Sequence, residues 1–154
     1  MNSPLTIIVD SREQLPYAFS SPDVTTIRRA LPEGDYSIDG YEQIVAVERK
    51  SLEDYAGSLS CDRERFLREM ERMQNIPHRL VVVEGNLSDI IGWRYRSGAH
   101  PHSILGGTIS LLVDLNTPVV FCGDRQMACR VTEEYLKRVY RKIIHANSSQ
   151  NLNN

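Results

Sequence analysis

Val45-Ala46-Val47-Glu48-Arg49-Lys50-Ser51-Leu52-Glu53-Asp54 decides how this chain is read. An apolar run leads directly into an acid, an arginine and a lysine. In an alternating strand Glu48 and Lys50 share one face and Arg49 takes the other. Ser51 has the chemistry of a helix N-cap, with Asp54 at the capping-box position in the favourable first turn. Leu52, Tyr55, Ala56 and Leu59 continue at helical spacing. The stretch therefore reads as a buried strand that ends on charge and turns at once into a helix.

Upstream, Pro32-Glu33-Gly34-Asp35 is a turn, and residues 36–38 can pair as a strand. Asp39-Gly40 is a hairpin signal that returns the chain antiparallel through Ile44 to Glu48. Residues 5–9 form a short apolar strand ending at Asp10, and Ser11-Arg12-Glu13 leaves it on a loop. Residues 24–31 fit a strand or a short helix. Downstream, the helical pattern pauses at Ser60-Cys61-Asp62 and resumes with Phe66, Met70 and Met73. This gives two helical pieces or one bent helix, ending near Asn75-Ile76-Pro77. Residues 79–84 are another buried strand, 86–93 a short helix, 94–102 a loop, 103–115 a helix and 118–122 a strand. Asp124 then caps a long amphipathic helix through Met127, Val131, Tyr135, Val139 and Ile143. Residues 147–154 are polar and asparagine-rich, and read as a frayed tail after a domain of residues 1–146. A strand, a hairpin and then alternating helices and strands define an α/β fold, with a mixed central sheet flanked by helices.

The length of 154 residues suits one domain, and the formal net charge of −2 signals no broad polycationic surface. Cys61, Cys122 and Cys129 are too few and too irregular for a zinc knuckle or a disulfide framework, and fit a reducing compartment. No apolar run approaches membrane-spanning length and the N-terminus lacks a signal-peptide pattern, so the chain reads as cytosolic, or nuclear in a eukaryote.

Asp10, Asp35 and Glu48 all stand at strand ends or turns, where ligand sites gather in such sheets. Asp54 follows one helical turn after Lys50. Acids of this kind hold a hard cation, magnesium or manganese, by oxygen; a lysine beside them stabilises charge on a phosphate or an attacking water. The competing reading is a solvated charge cluster where a strand leaves the core, and on composition alone the two are evenly matched.

Gly34-Asp35, then Glu48-Arg49-Lys50, then Asp54 match the pattern G-D…E-R-K-x-x-x-D, which resembles the nuclease domain of the XPF-type structure-specific endonucleases. Ile8-Val9-Asp10-Ser11-Arg12-Glu13 also resembles that family's first strand, ending in D-x-R-E, and the likeness spans roughly residues 5–145. The resemblance implies a restriction-endonuclease-like core that cuts branched, flap or otherwise structured DNA with Mg2+, or Mn2+. It implies Asp35, Glu48 and Asp54 as metal ligands, Asp10 supporting them, and Lys50 acting on the water or phosphate. Arg12, Glu13 and Arg49 match motif positions as well; strand alternation makes Arg49 a brace for the acids rather than a phosphate contact. Many members continue into a tandem helix-hairpin-helix segment; the expectation here is a stand-alone version. The other readings are a non-catalytic DNA-binding or scaffold module that pairs with another nuclease subunit, and a hydrolase of another phosphate substrate. The first would have lost the acids, and no P-loop supports the second.

Arg63 and Arg65 are candidate phosphate contacts, whereas Arg68 and Arg72 fit a solvated helix face among Glu64, Glu69 and Glu71. The loop Trp93-Arg94-Tyr95-Arg96 interleaves aromatics with cations, which makes Arg94 and Arg96 DNA candidates, while a lone tryptophan is expected in the core. On the last helix, Leu136, Tyr140 and Ile144 fit either a homodimer or heterodimer interface or a wide buried face within one chain.

Overall fold

The computed structural model describes residues 4–151. Strands β1 (Leu5–Asp10), β2 (Val24–Arg29), β3 (Tyr36–Ile38), β4 (Val45–Ser51), β5 (His78–Glu84) and β6 (Val119–Phe121) form one sheet in the order β2-β1-β3-β4-β5-β6. β1 and β2 are parallel, β3 runs antiparallel to both β1 and β4, and β4, β5 and β6 are parallel to one another. Only β3 is reversed. The C-terminal ends of the other strands therefore share one edge of the sheet with the start of β3.

The stretch 24–31 resolves as strand over Val24–Arg29. Val24, Thr25, Thr26 and Ile27 are β-branched, and they pair with β1 in the register Leu5↔Val24 to Asp10↔Arg29. The helical region after β4 is two helices, α1 (Leu52–Ser58) and α2 (Arg63–Met73), not one bent rod. Ser51 caps α1 by accepting a hydrogen bond from the Asp54 N–H at 3.1 Å. Next come α3 (Leu87–Ile91), α4 (Pro101–Val113) and α5 (Arg125–Asn151). α4 starts two residues earlier than the sequence reading placed it. Pro101 suits the first helical position, and His100 Nδ1 caps it by accepting from the His102 N–H. Asp124 accepts from the Met127 N–H at 2.8 Å and caps α5.

Alternation along β4 and β5 divides the core in two. Val45, Val47, Leu80 and Val82 face α5, where Ala128, Leu136 and Val139 cover them. Ala46, Val81 and Val83 face the other layer, meeting Tyr55, Phe66, Met70, Ile104 and Leu111. Both faces are covered, so the run from Leu80 to Val83 is buried without a break.

Two expectations are corrected. α5 continues to Asn151 through the stretch read as tail, because an established helix adds each residue at little cost; Ser148 and Ser149 hydroxyls donate to the Ile144 and His145 carbonyls. The part of the tail after Asn151 lies outside the described residues. Trp93, expected in the core, is 52% exposed. Of the two readings open for the last helix, Leu136, fully buried, and Tyr140, edge-on to Tyr41 at 6.2 Å, fit the wide buried face within one chain.

Candidate active site

The shared sheet edge is tied together around Asp35. Gly34 turns with φ +76°, and a Cβ there would lie 3.1 Å from both Ala46 Cβ and Val47 O. A glycine lets the turn press against β4. The Asp35 N–H then donates to Val47 O at 2.8 Å, and Asp35 O accepts from the Asp10 N–H at 2.8 Å. The Asp35 carboxylate accepts from the Arg49 N–H at 2.8 Å. Three strand ends are thereby locked in register around one acid.

A cavity of about 300 Å³ opens here, lined by Asp10, Arg12, Glu13, Asp35, Glu48 and Lys50, with Glu33, Glu69 and Arg72 at its other walls. Glu48 and Lys50 lie on the Ala46 face of β4, as strand alternation dictates. Lys50 Nζ stands 3.5 Å from Glu48 Oε1 and 5.1 Å from the centroid of the Phe66 ring. The ring gives the ammonium a fixed seat beside the acid.

The acids differ in electrostatic state. Burial pushes the Asp35 carboxyl up to about 6, against the Arg49 N–H bond, with Glu13 adding to the rise. Burial also pushes Glu48 up to about 8; the negative charge of Asp35 adds to the rise, Lys50 opposes it, and Glu69 contributes. Asp10 behaves oppositely. Burial works to raise it, but the Leu31 N–H at 2.9 Å and Arg12 Nε at 2.8 Å outweigh that and hold it below the ordinary carboxylate value. Asp10 is thus a structural acid whose ionised form is favoured by its partners. Asp35 and Glu48 are a pair whose negative charge lacks full compensation.

Arg49 serves as a brace, from the opposite sheet face. Its Nη2 and Nε bind Glu84 Oε1 at 2.6 and 3.0 Å, and Nη1 reaches Glu13 Oε1 at 3.5 Å. The Tyr17 ring lies 5.8 Å from its guanidinium carbon. Glu84 closes this ion network, and its only signal in the chain is a charge at a strand end. Glu69 was likewise read as part of a solvated face. Its place next to the buried Met70 on α2 was the available signal.

Several expected residues lie elsewhere. Asp54 is exposed on α1 and absent from the cavity lining, because the helix turns Tyr55 and Ala56 into the core and leaves Glu53 and Asp54 outside. Arg63 lines a separate pocket of about 610 Å³ with Cys61 and His100, and Arg65 pairs with Asp62 at 3.4 Å. Arg72 is the arginine of α2 on the acidic cavity, held 3.3 Å from Glu33, because the C-terminal half of that helix forms the cavity wall. Arg94 pairs with Asp89 at 2.7 Å, and Arg96 is exposed on the same loop. Among the described residues no group of three or more His, Cys, Asp or Glu is arranged to hold a metal ion. Asp35 and Glu48 remain as an oxygen-donor pair. That number suits Mg2+, which keeps several waters and takes one or two carboxylates together with substrate phosphate.

A mixed sheet covered by helices on both faces, with two acids and a lysine gathered at the end of β4, defines an α/β domain with a charged cavity at its sheet edge. Residues 9–135 match the ERCC4 domain, and the chain belongs to that family as an XPF-type nuclease domain. Among solved structures it is similar to XPF from Aeropyrum pernix, with TM-score 0.68 and 24% identity over 94% of this chain and 70% of that one. It is also similar to XPF from Aeropyrum pernix in complex with DNA, with TM-score 0.67 and 26% identity over 90% of this chain and 66% of that one. No curated protein matches the sequence. Among the described residues no helix is long and apolar enough to cross a membrane.

Proposed function

We propose that this chain is a divalent-metal-dependent endonuclease that hydrolyses phosphodiester bonds in branched, flap or otherwise structured DNA. The observation that carries the reading is the meeting of Asp35, Glu48 and Lys50 in one cavity, with both acids carrying raised pKa values. Asp35 and Glu48 would hold Mg2+ or Mn2+. When bound, the ion lowers the pKa of its water and polarises the phosphate. The rest falls to the protein. The Arg49 N–H fixes the direction of the Asp35 carboxylate, and Lys50 sets positive charge where the phosphate becomes more anionic. Asp10 and Arg12 hold the end of β1 against the residue 31 turn. Arg72 stands at the cavity wall as a phosphate contact. A scaffold role without catalysis is disfavoured by the acids themselves, which are present and assembled.

Labelled flap, fork, nicked and blunt duplex DNAs incubated with Mg2+ test this. Cleavage of at least one structured substrate is expected. Asp35→Asn and Glu48→Gln should each lose more than about 100-fold in rate while still binding DNA. Full activity in either variant would overturn the assignment.

A further inference from the structure

Trp93 is a conformational anomaly. It follows the short helix α3 and its C-cap Gly92, in the left-handed position that glycine ordinarily fills, with φ +56°. A bulky residue is strained there, and strain of this kind persists only where surrounding contacts impose it. Burial is the usual compensation for an indole, yet the residue is 52% exposed.

The surroundings hold it firmly. The Tyr95 ring stacks on Trp93 at 6.3 Å between centroids and 11° between planes, and the His100 ring meets it edge-on at 5.1 Å. Tyr95 is anchored by its hydroxyl donating to Ala99 O at 2.7 Å. His100 is anchored because its Nδ1 caps α4. Arg94 is tied to Asp89, and the Arg96 N–H donates to both oxygens of the Glu53 carboxylate at 3.0 and 2.9 Å. Every neighbour is fastened to the domain, so the indole is presented on a rigid mount.

The mount also lies on the correct edge. β4 and β5 are parallel, so α1 and the α3 loop both leave the sheet at the end that carries Glu48 and Lys50. Glu53 stands three residues after Lys50 and holds Arg96 directly. The path to Arg96 spans at most roughly 20 Å, and the three residues back to Trp93 add at most roughly 11 Å, together about nine steps of duplex at 3.4 Å each. Arg96 is exposed and forms no ion pair among the described residues, leaving a cation on the same loop as the rings.

We propose that Trp93, backed by Tyr95 and His100, is a stacking platform for an unpaired base of the DNA, on the same edge of the sheet as the cavity. The proposal rests on the nuclease reading above and deepens it, because it supplies a physical preference for DNA with single-stranded character. Stacking on an aromatic ring tolerates any base, and a duplex offers no free base face. The neighbouring exposed Leu87 and Ile91 would also suit a protein partner, but the cation on the same loop favours a polyanion.

Trp93 is the sole tryptophan of the chain, so its emission reports on this site alone. Full-length protein in EDTA is titrated with forked and blunt duplex DNA, following tryptophan emission and the anisotropy of labelled DNA together. Forked DNA should quench the emission with the same midpoint as the anisotropy, and blunt duplex should quench much less. Trp93→Ala should weaken fork binding about 5- to 150-fold with little effect on blunt duplex, and Trp93→Phe should restore most of the loss. Unchanged emission on a fork that anisotropy shows to be bound would overturn the platform. So would equal affinity of Trp93→Ala and native protein for forks, or a smaller sedimenting species in Trp93→Ala without DNA. Cleavage is assayed separately with Mg2+. No cleavage beside intact fork-selective quenching would remove the nuclease reading and leave the platform standing, whereas normal cleavage with no effect of Trp93→Ala would do the reverse.

Discussion

At the scale of single residues, the acids of the cavity act on stability in opposite directions. A carboxyl whose pKa is raised on folding binds more protons in the native than in the unfolded state, so stability falls as pH rises. For Asp35 and Glu48 the fall begins near the ordinary carboxylate value of ~4. It is complete only above the value of about 8 that Glu48 reaches. Asp10 has the reverse sign: its lowered pKa contributes stability above the ordinary value, which is lost as acid protonates it. Metal-free protein should therefore resist urea better at pH 5 than at pH 8.5. Glu48→Gln should flatten that slope, and a slope unchanged in the variant would contradict the burial argument. Glu48, Lys50 and Asp35 were legible because strand alternation and a glycine turn are local rules. Glu69 and Glu84 were not, since only tertiary packing brings a mid-helix acid and the end of β5 to the same region. Asp54 misled for a related reason: its position in a capped first turn was clear, but which side of α1 would meet the core was not.

At the scale of elements, the turn before β3 determines how accurately the acids are aimed. Gly34 combines a left-handed φ with a backbone approach to Val47 that leaves no room for a side chain. Gly34→Ala should cost about 1–2 kcal/mol in urea unfolding. It should also slow cleavage disproportionately, because Asp35 is the next residue. A variant with native stability and native rate would show the turn to be slack. Turns and caps of this sort were readable in the chain: Ser51, Asp124 and the Asp39-Gly40 hairpin all stand where their chemistry placed them. Residues 24–31 were ambiguous because eight residues without a clear period fit two elements, and pairing of Val24–Arg29 with β1 decided between them. The end of α5 was misjudged because asparagine-rich composition speaks for fraying, while helix continuation needs no apolar face.

At the scale of the whole molecule, one sheet separates a layer that carries the chemistry from a layer that α5 closes. Leu136 lies at the centre of the closing layer, fully buried against the sheet. Leu136→Ala should therefore cost about 2–5 kcal/mol by urea denaturation. A loss under about 1 kcal/mol would mean that α5 is not packed as described. The two layers nevertheless meet in a single amino acid. Arg49 offers its main chain to Asp35 on one side and spends its guanidinium on Glu84 and Glu13 on the other. Workshop and foundation consequently share a rivet. A lineage diverging from this chain cannot freely redecorate the apparently inert back wall, because loosening Glu84 would shake the hand that aims the Asp35 carboxylate.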